Sequence, residues 1–299
     1  MSKFKFPLLF KGFSESDKKK AIEIIKSGQI TMSNITKKFE KEFAKTVGAK
    51  YALMVNSGSS ANLLAAFASC NPIRKNRFSY GQEFLISAVC WPTSLWPFVQ
   101  AGLKPVFVDV DLDTLNISIK DLKRKINSKT KVIVLVHVLG LCSDLDEIRK
   151  ICKKRKIILI EDSCEAFGSI YKKKFLGTLS DFGTYSFYYS HQITSGEGGM
   201  IVCQDSKDYE ILLSLRAHGW TRDFINRKST EKKFPKMDKR FLFINSGFNL
   251  RATEIQAAIA YNQFKKFKVK KEIRKYNKNL IHKKLISHKK WKNQFTIIN

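Results

Sequence analysis

The sequence predicts an α/β fold in which a mixed, mainly parallel sheet lies between layers of helices. Short apolar segments alternate with helical segments, as in parallel strands joined by crossover helices. The predicted strands are apolar throughout, which indicates a sheet covered on both faces. With 299 residues, 43% of them hydrophobic, the chain can bury a large core. We assign residues 1–250 to one large α/β domain and residues 251–299 to a long charged helical stretch leading out of it.

Hydrophobic periodicity gives the individual elements. The first helix is predicted at 14–27, with an apolar stripe expected to be buried. That stripe consists of Ala21, Ile22, Ile24 and Ile25. Strands are predicted at 50–55, 83–87, 104–108, 132–136, 157–160, 183–187 and 198–203. Further helices are predicted at 33–47, 92–101, 118–126, 143–154 and 251–285, with another that ends at residue 70.

The bulk properties narrow the class of protein. The formal net charge of +29 is spread along most of the chain, without the interleaved aromatic residues typical of nucleic-acid binding. We therefore expect no nucleic-acid partner. No apolar run of membrane-spanning length and no secretory leader is apparent. The six cysteines form no metal-binding spacing. A cytoplasmic protein without a bound metal or a membrane partner is expected.

Small residues follow the first predicted strand. Gly58, Ser59 and Ser60 lie between that strand and the next helix. Backbone N–H groups at the start of a helix attract anions, and the helix dipole adds to this attraction. Small polar residues are equally typical of an ordinary helix cap. The segment by itself leaves phosphate binding and capping open.

Two carboxylates follow the strand predicted at 157–160. Asp162 and Glu165 come at its carboxyl end, the edge at which open α/β sheets bind ligands. A helix cap is the alternative role for Asp162. Trp91 follows another strand, and its ring either packs in the core or stacks on a planar ligand.

The most informative residue is a histidine. His191 stands in the segment Y-S-F-Y-Y-S-H-Q-I-T-S-G-E-G-G, which also holds Ser186 and Ser190. An imidazole can carry protons near neutral pH, whereas a serine such as Ser186 is as often a buried structural residue.

Two later blocks carry polar side chains. They are R-A-H-G-W-T-R, with His218 and Arg222, and G-F-N-L-R, with Asn249.

In order and spacing, the segments between residues 50 and 251 resemble the pyridoxal-phosphate sugar aminotransferases of the DegT/DnrJ/EryC1/StrS family. That family carries S-G-T-x-A, E-D-A-A-Q-A, S-F-x-x-x-K before G-E-G-G, and G-Y-N-x-R. The resemblance implies a type I, aspartate aminotransferase-like fold that binds pyridoxal or pyridoxamine 5'-phosphate. It also implies a homodimer with shared active sites and a small C-terminal domain, largely missing from residues 251–299.

The same resemblance assigns roles to the residues described above. A phosphate group would be held near the start of the helix after the first strand, and the cofactor ring would lie between a carboxylate and an aromatic side chain. The implied cofactor-binding residues are Gly58, Ser59, Ser60, Ser186, Glu165, Asp162 at the ring nitrogen, Trp91 on the pyridine face, and Asn249 reaching the cofactor of the neighbouring subunit. The implied substrate-lining residues are Ser190, His218 and Arg222.

His191 stands where the family has the lysine that forms a Schiff base with the cofactor. The resemblance is to a histidine-bearing branch that removes the C3 hydroxyl group of a nucleotide-linked 4-keto-6-deoxyhexose. It implies a 3-dehydratase with His191 as catalytic base and L-glutamate as amino donor, in deoxysugar and O-antigen lipopolysaccharide biosynthesis. No cysteine follows Cys203, so the iron–sulfur cluster of one such relative is not expected.

Two other functions stay open for this sequence. One is a nucleotide-sugar aminotransferase of the same fold, and the other is a catalytically silent, truncated homologue. The nucleotide, GDP or CDP, and the stereochemistry of the sugar are also left open.

Overall fold

A computed structural model describes residues 12–291, and its helices and strands alternate as predicted. The helices are α1 Glu15–Ser27, α2 Asn34–Val47, α3 Gly58–Ser69, α4 Pro92–Gln100, α5 Ile119–Lys125, α6 Leu145–Arg155, α7 Ser206–Arg216, α8 Arg227–Lys232, α9 Glu254–Lys265 and α10 Phe267–Ser287. The strands are β1 Tyr51–Val55, β2 Glu83–Ser87, β3 Lys104–Val108, β4 Val110–Asp111, β5 Asn116–Ile117, β6 Thr130–Val136, β7 Ile158–Asp162, β8 Ile170–Tyr171, β9 Lys174–Phe175, β10 Phe182–Ser186 and β11 Gly199–Cys203.

The main sheet has the order β1-β11-β10-β7-β6-β2-β3. The strands from β10 to β3 are parallel to their neighbours, whereas β11 is antiparallel to both β1 and β10. The sheet is therefore mixed and mainly parallel, as predicted. Because β11 reverses direction between them, β1 and β10 run the same way, and the carboxyl ends of β1, β10, β7, β6 and β2 meet at one edge.

Both faces of this sheet are covered by helices. Leu64, Phe98 and Leu212, from α3, α4 and α7, lie in a hydrophobic cluster on one face. On the other face, Leu122 of α5 and Ile148 of α6 lie in a second cluster. The buried strands therefore have the uniformly apolar composition that such a sheet needs.

The stripe predicted on the first helix is wrong in part. Ile24 is buried, but Ile22 and Ile25 are 50% and 56% exposed. The buried face of α1 instead includes Asp17, whose carboxylate accepts hydrogen bonds from the side chain of Asn262 at 2.6 Å and from Ser14 at the start of the helix. Hydrogen-bonded polar contacts to α9 therefore hold this face together with the buried Ile24.

The single helix predicted at 251–285 is two helices. They meet at Lys266, which ends α9 and precedes α10. The first lies against α1 and α2, with Ala257 and Phe264 in a third hydrophobic cluster, whereas in α10 only Phe267 is buried. A domain boundary at residue 250 and a small C-terminal domain stay predictions. Between residues 12 and 291, no helix is long and apolar enough to cross a membrane.

Candidate active site

The common edge of the sheet brings together several residues predicted from the sequence. Gly58 follows β1, Ser186 ends β10 and Asp162 ends β7. Trp91 lies just beyond β2 at the same edge. This arrangement follows from parallel strand direction, because residues that end such strands share one side of the sheet.

The predicted phosphate-binding segment lies in close contact with β10. A Cβ atom on Gly58 would lie 2.6 Å from Cβ and 3.0 Å from Oγ of Ser186, so only glycine allows this approach. Ser57 caps α3 by accepting a hydrogen bond from Ser60 N at 3.1 Å. The amides of Gly58 and Ser59 occupy the first two helical positions, whose N–H groups have no acceptor within the helix. They can therefore donate to an anion beside the Ser186 hydroxyl.

Asp162 is 4% exposed and is held by hydrogen bonds to both carboxylate oxygens. Its Oδ2 accepts from Asn62 Nδ2 at 2.7 Å and from Ser94 Oγ at 2.6 Å. Its Oδ1 accepts from Cys164 N at 3.1 Å. These three donors are neutral. A buried carboxylate surrounded by neutral donors favours a cationic N–H group in the site.

His191 lies partly buried in the turn after β10, where its amide donates to Tyr188 O at 3.1 Å. Burial lowers the pKa of the imidazole below its ordinary value, although the Glu165 and Asp162 carboxylates act in the opposite direction. At neutral pH the imidazole is therefore mainly uncharged and can accept a proton. The turn that carries His191 is joined to Glu165 by the next residue, because the Gln192 side chain donates to the Glu165 carbonyl oxygen.

Glu165 is fixed by two polypeptide segments. Its Oε2 accepts from Leu139 N at 3.1 Å, and its carbonyl oxygen accepts from Gln192 Nε2 at 2.5 Å. Leu139 has the left-handed φ of 55°, which leucine seldom adopts. The strained backbone at Leu139 thus presents the amide that holds the Glu165 carboxylate.

Trp91 is linked through its backbone to the hydrogen bonds around Asp162. Its carbonyl oxygen accepts from Ser94 N at 2.9 Å, and the Ser94 hydroxyl binds Asp162. The Trp91 ring is 71% exposed, so it is not the core residue that the sequence left as an alternative. Ser190, next to His191, is partly exposed.

The remaining predicted residues lie in other places. Asn249 and His218 are exposed and both approach Arg251, whose Nε donates to Asn249 Oδ1 at 3.0 Å and whose Nη2 lies 3.4 Å from His218 Nε2. The Arg222 guanidinium stacks over the Trp220 ring at 4.1 Å. Arg222 lines a cavity of about 650 Å³ beside α2 rather than the edge that carries His191.

Three buried residues around Asp162 were missed by the sequence analysis. Asn62 and Ser94 bind its carboxylate, and Thr184 donates to Asn62 Oδ1 at 2.6 Å. Asn62 is a polar residue on the apolar face of a helix, which is the one signal that could have singled it out. Within residues 12–291, no group of three or more His, Cys, Asp or Glu side chains is arranged to hold a metal ion.

A mixed α/β sheet that carries a helix terminus, a buried aspartate and a histidine at its carboxyl edge defines an aminotransferase-fold protein. Residues 13–295 match the DegT/DnrJ/EryC1/StrS aminotransferase family, and the chain belongs to this family. GDP-4-keto-6-deoxy-D-mannose 3-dehydratase from Escherichia coli O55:H7 is 41% identical over 263 residues, which cover 87% of this chain and 68% of the relative.

Two solved structures are similar over most of the chain. A mutant of GDP-4-keto-6-deoxymannose-3-dehydratase with bound GDP-perosamine has a TM-score of 0.89 at 39% identity, covering 95% of this chain and 74% of the other. The same enzyme with a trapped PLP-glutamate geminal diamine has a TM-score of 0.84 at 36% identity, again covering 95% and 74%. The predicted fold and family are thereby confirmed.

Proposed function

We propose that this chain is a pyridoxal- and pyridoxamine-phosphate-dependent 3-dehydratase of a nucleotide-linked 4-keto-6-deoxyhexose, with L-glutamate as amino donor. The observation that carries the proposal is the position of His191 in the turn after β10, next to Gln192, whose side chain donates to the Glu165 carbonyl oxygen at 2.5 Å. Similarity to a GDP-4-keto-6-deoxy-D-mannose 3-dehydratase supports it and makes a GDP-linked sugar the first substrate to test. Deoxysugar biosynthesis for O-antigen lipopolysaccharide is the corresponding pathway.

The described residues are chemically suited to such a cofactor. The approach of Gly58 to Ser186, which a Cβ atom would prevent, leaves amide and hydroxyl donors for a phosphate group. Asp162 offers a buried carboxylate for a ring N–H, and the exposed Trp91 ring offers a flat apolar surface. When bound, the cofactor supplies an amine for the sugar ketone and a ring that accepts electrons as the C3–O bond breaks.

His191 would move the proton in this reaction. As a mainly neutral imidazole, it can accept a proton on a ring nitrogen and then return it to the departing C3 hydroxyl group. Without the lysine amine at this position, the cofactor would be held by non-covalent contacts alone. Lys172, in the nearest lysine cluster, pairs with Asp146 on an exposed turn, which argues against a substitute.

We also propose a homodimer in which Asn249 serves the neighbouring subunit. Asn249 and the adjacent His218 are exposed, and Arg251 holds the Asn249 amide oxygen. This orientation would leave the amide NH₂ group of Asn249 free to donate to a phosphate across the interface. His218 and Arg222 lie away from the edge that carries His191, so we propose that they line the substrate site of the neighbouring subunit.

The first experiment tests cofactor chemistry in the purified protein. With pyridoxal phosphate and glutamate, the aldehyde absorbance should disappear and 2-oxoglutarate should form, while borohydride should not attach the cofactor to the protein. His191→Lys supplies the matched control, because its amine can be fixed by borohydride. Covalent fixation in the unaltered protein would favour the aminotransferase, and no turnover would favour the silent homologue. Mass spectrometry with GDP- and CDP-4-keto-6-deoxyhexoses offered together would identify the nucleotide.

A further inference from the structure

We propose that Asn62 and Ser94 are positioning residues that occupy Oδ2 of Asp162 and leave Oδ1 as the oxygen that meets a cationic ligand N–H. This inference rests on the proposed function, because the cofactor ring nitrogen is the ligand atom concerned. Each carboxylate oxygen can accept about two hydrogen bonds. Oδ2 already accepts two hydrogen bonds, from side chains of two separate helices, whereas the amide that reaches Oδ1 is that of Cys164, two residues along the chain.

The orientation of the Asn62 amide is determined by its partners. Asp162 Oδ2 and the carbonyl oxygen of Thr93 can only accept hydrogen bonds, so the NH₂ group of Asn62 must face both, at 2.7 Å and 3.2 Å. The Thr184 hydroxyl donates to the other end of the amide at 2.6 Å. All hydrogen-bonding atoms of the Asn62 side chain are thus occupied, which prevents a flip of the amide.

Burial makes this network strong. Asn62, Ser94 and Thr184 are 2%, 1% and 0% exposed, so water cannot replace a lost donor at low cost. The network also links separate elements, since Asn62 lies in α3, Ser94 in α4 and Thr184 in β10. Asn62 therefore fixes the Asp162 carboxylate and, through Thr93, the first turn of the helix that follows Trp91.

The expected consequence is control of the protonated ring nitrogen. With Oδ2 held, the carboxylate cannot rotate away, and the negative charge on Oδ1 stabilises a protonated ring. Asn62→Leu keeps a branched side chain of similar shape but removes both donors. Ser94→Ala removes one donor. In each variant the carboxylate can rotate, and the ring should lose its proton at a lower pH.

The test uses the full chain loaded with pyridoxal phosphate labelled with ¹⁵N in the ring, and follows the nitrogen resonance as pH rises. In Asn62→Leu and Ser94→Ala we expect the titration midpoint to fall by about one pH unit or more, a tenfold change in proton affinity. Affinity for pyridoxal phosphate should fall about tenfold or more, as expected for a lost bond to a charged group. Ser69→Ala is the matched control, since Ser69 is a fully buried serine of α3 whose hydroxyl donates to Ala65 O at 2.7 Å, away from Asp162.

A second pair of variants distinguishes the loss of a hydrogen bond from a change in side-chain packing. Thr184→Val keeps the shape of the side chain but loses the hydroxyl group, whereas Thr184→Ser keeps that group. Thr184→Val should lower the titration midpoint and Thr184→Ser should not. Unchanged midpoints in Asn62→Leu, Ser94→Ala and Thr184→Val would overturn this inference alone. Failure of the unaltered chain to bind pyridoxal phosphate would overturn the proposed function with it.

Discussion

Glu254, at the start of α9, binds the first turn of α2 through Thr36, whose hydroxyl donates to Glu254 Oε2 at 2.6 Å. The same carboxylate accepts from Ser33 N at 2.7 Å and Ile35 N at 2.5 Å. The side chain of Ser33, the N-cap residue, makes no capping hydrogen bond. A glutamate more than 200 residues away in sequence therefore supplies the cap of α2.

Replacing this glutamate should destabilise the fold. Glu254→Ala would leave buried donors of α2 without an acceptor, and we expect a loss of about 2–4 kcal/mol in the free energy of unfolding. Urea unfolding followed by circular dichroism measures the change. Glu272→Ala, at an exposed position of α10, should stay within about 0.5 kcal/mol. Equal losses in the two variants would show that the cap of α2 contributes nothing particular.

Arg216 and Glu40 form a buried ion pair, with Nη1 and Oε1 2.7 Å apart. Burial raises the pKa of Glu40 even though Arg216 opposes this shift. Arg216→Met should therefore cost about 3–5 kcal/mol near neutral pH, because it leaves a buried charge without its partner.

The pH dependence of the Arg216→Met variant provides the check. Without Arg216 the pKa of Glu40 should rise further, so the folded variant binds a proton that the unfolded chain has released. Its stability should then fall as pH rises from the ordinary glutamate pKa to the raised one. Glu40→Met combined with Arg216→Met should be more stable than Arg216→Met alone at pH 8. A cost for Arg216→Met that is independent of pH would contradict this account.

The sequence predicted what depends on local pattern and strand direction. Parallel strands were apparent from their apolar composition, and Gly58, Asp162 and Ser186 came to one edge because they end or follow such strands. The prediction ended β7 at residue 160, whereas the strand continues to Asp162. The last two residues were left out because Glu161 and Asp162 carry charges, which are unusual in a buried strand. Glu161 is accommodated there by hydrogen bonds from Gly177 N and Leu179 N.

Contacts between distant segments could not be predicted from one sequence. No pattern of neighbouring residues in the sequence indicates the capping of α2 by Glu254 or the ion pair between Arg216 and Glu40. Arg216 belongs to the block expected to line the active site, yet it is buried against Glu40 and the Met54 carbonyl oxygen. The roles proposed for His218 and Arg222 stay predictions.

Gly58→Ala should weaken both phosphate binding and the fold. The added Cβ would lie 2.6 Å from Ser186 Cβ, so α3 and β10 must separate, at a cost of about 1–3 kcal/mol. Binding of pyridoxal phosphate, measured by fluorescence quenching, should fall about tenfold or more, since the displaced amides and hydroxyl group no longer converge.

A glycine in open space serves as the control for this substitution. Gly28 has a φ of 70° and no atom within 4 Å of a built Cβ, so Gly28→Ala should cost about 1 kcal/mol through backbone strain and leave cofactor affinity unchanged. Cofactor affinity in Gly58→Ala equal to that in Gly28→Ala would rule out the close approach of Gly58 and Ser186 as part of the phosphate site.

The acid limb of activity should report the protonation of His191. Burial holds the pKa of this imidazole below its ordinary value of 6.5, so kcat/KM should fall only as pH drops below that value. The same shift affects stability. Below pH 6.5, His191 in the unfolded chain binds a proton that native His191 does not. The free energy of unfolding therefore falls as pH drops from 6.5 to the lower pKa of the native imidazole.

Glu165→Gln tests whether the Glu165 carboxylate determines the pH at which kcat/KM falls on the acid side. Because the negative charge of Glu165 raises the pKa of His191, its removal should move the acid limb of kcat/KM to lower pH, whatever happens to the maximal rate. Glu272→Gln, on the exposed side of α10, should leave the limb where it is. A limb that stays in place or moves to higher pH in Glu165→Gln would mean that a group other than His191 accepts the proton.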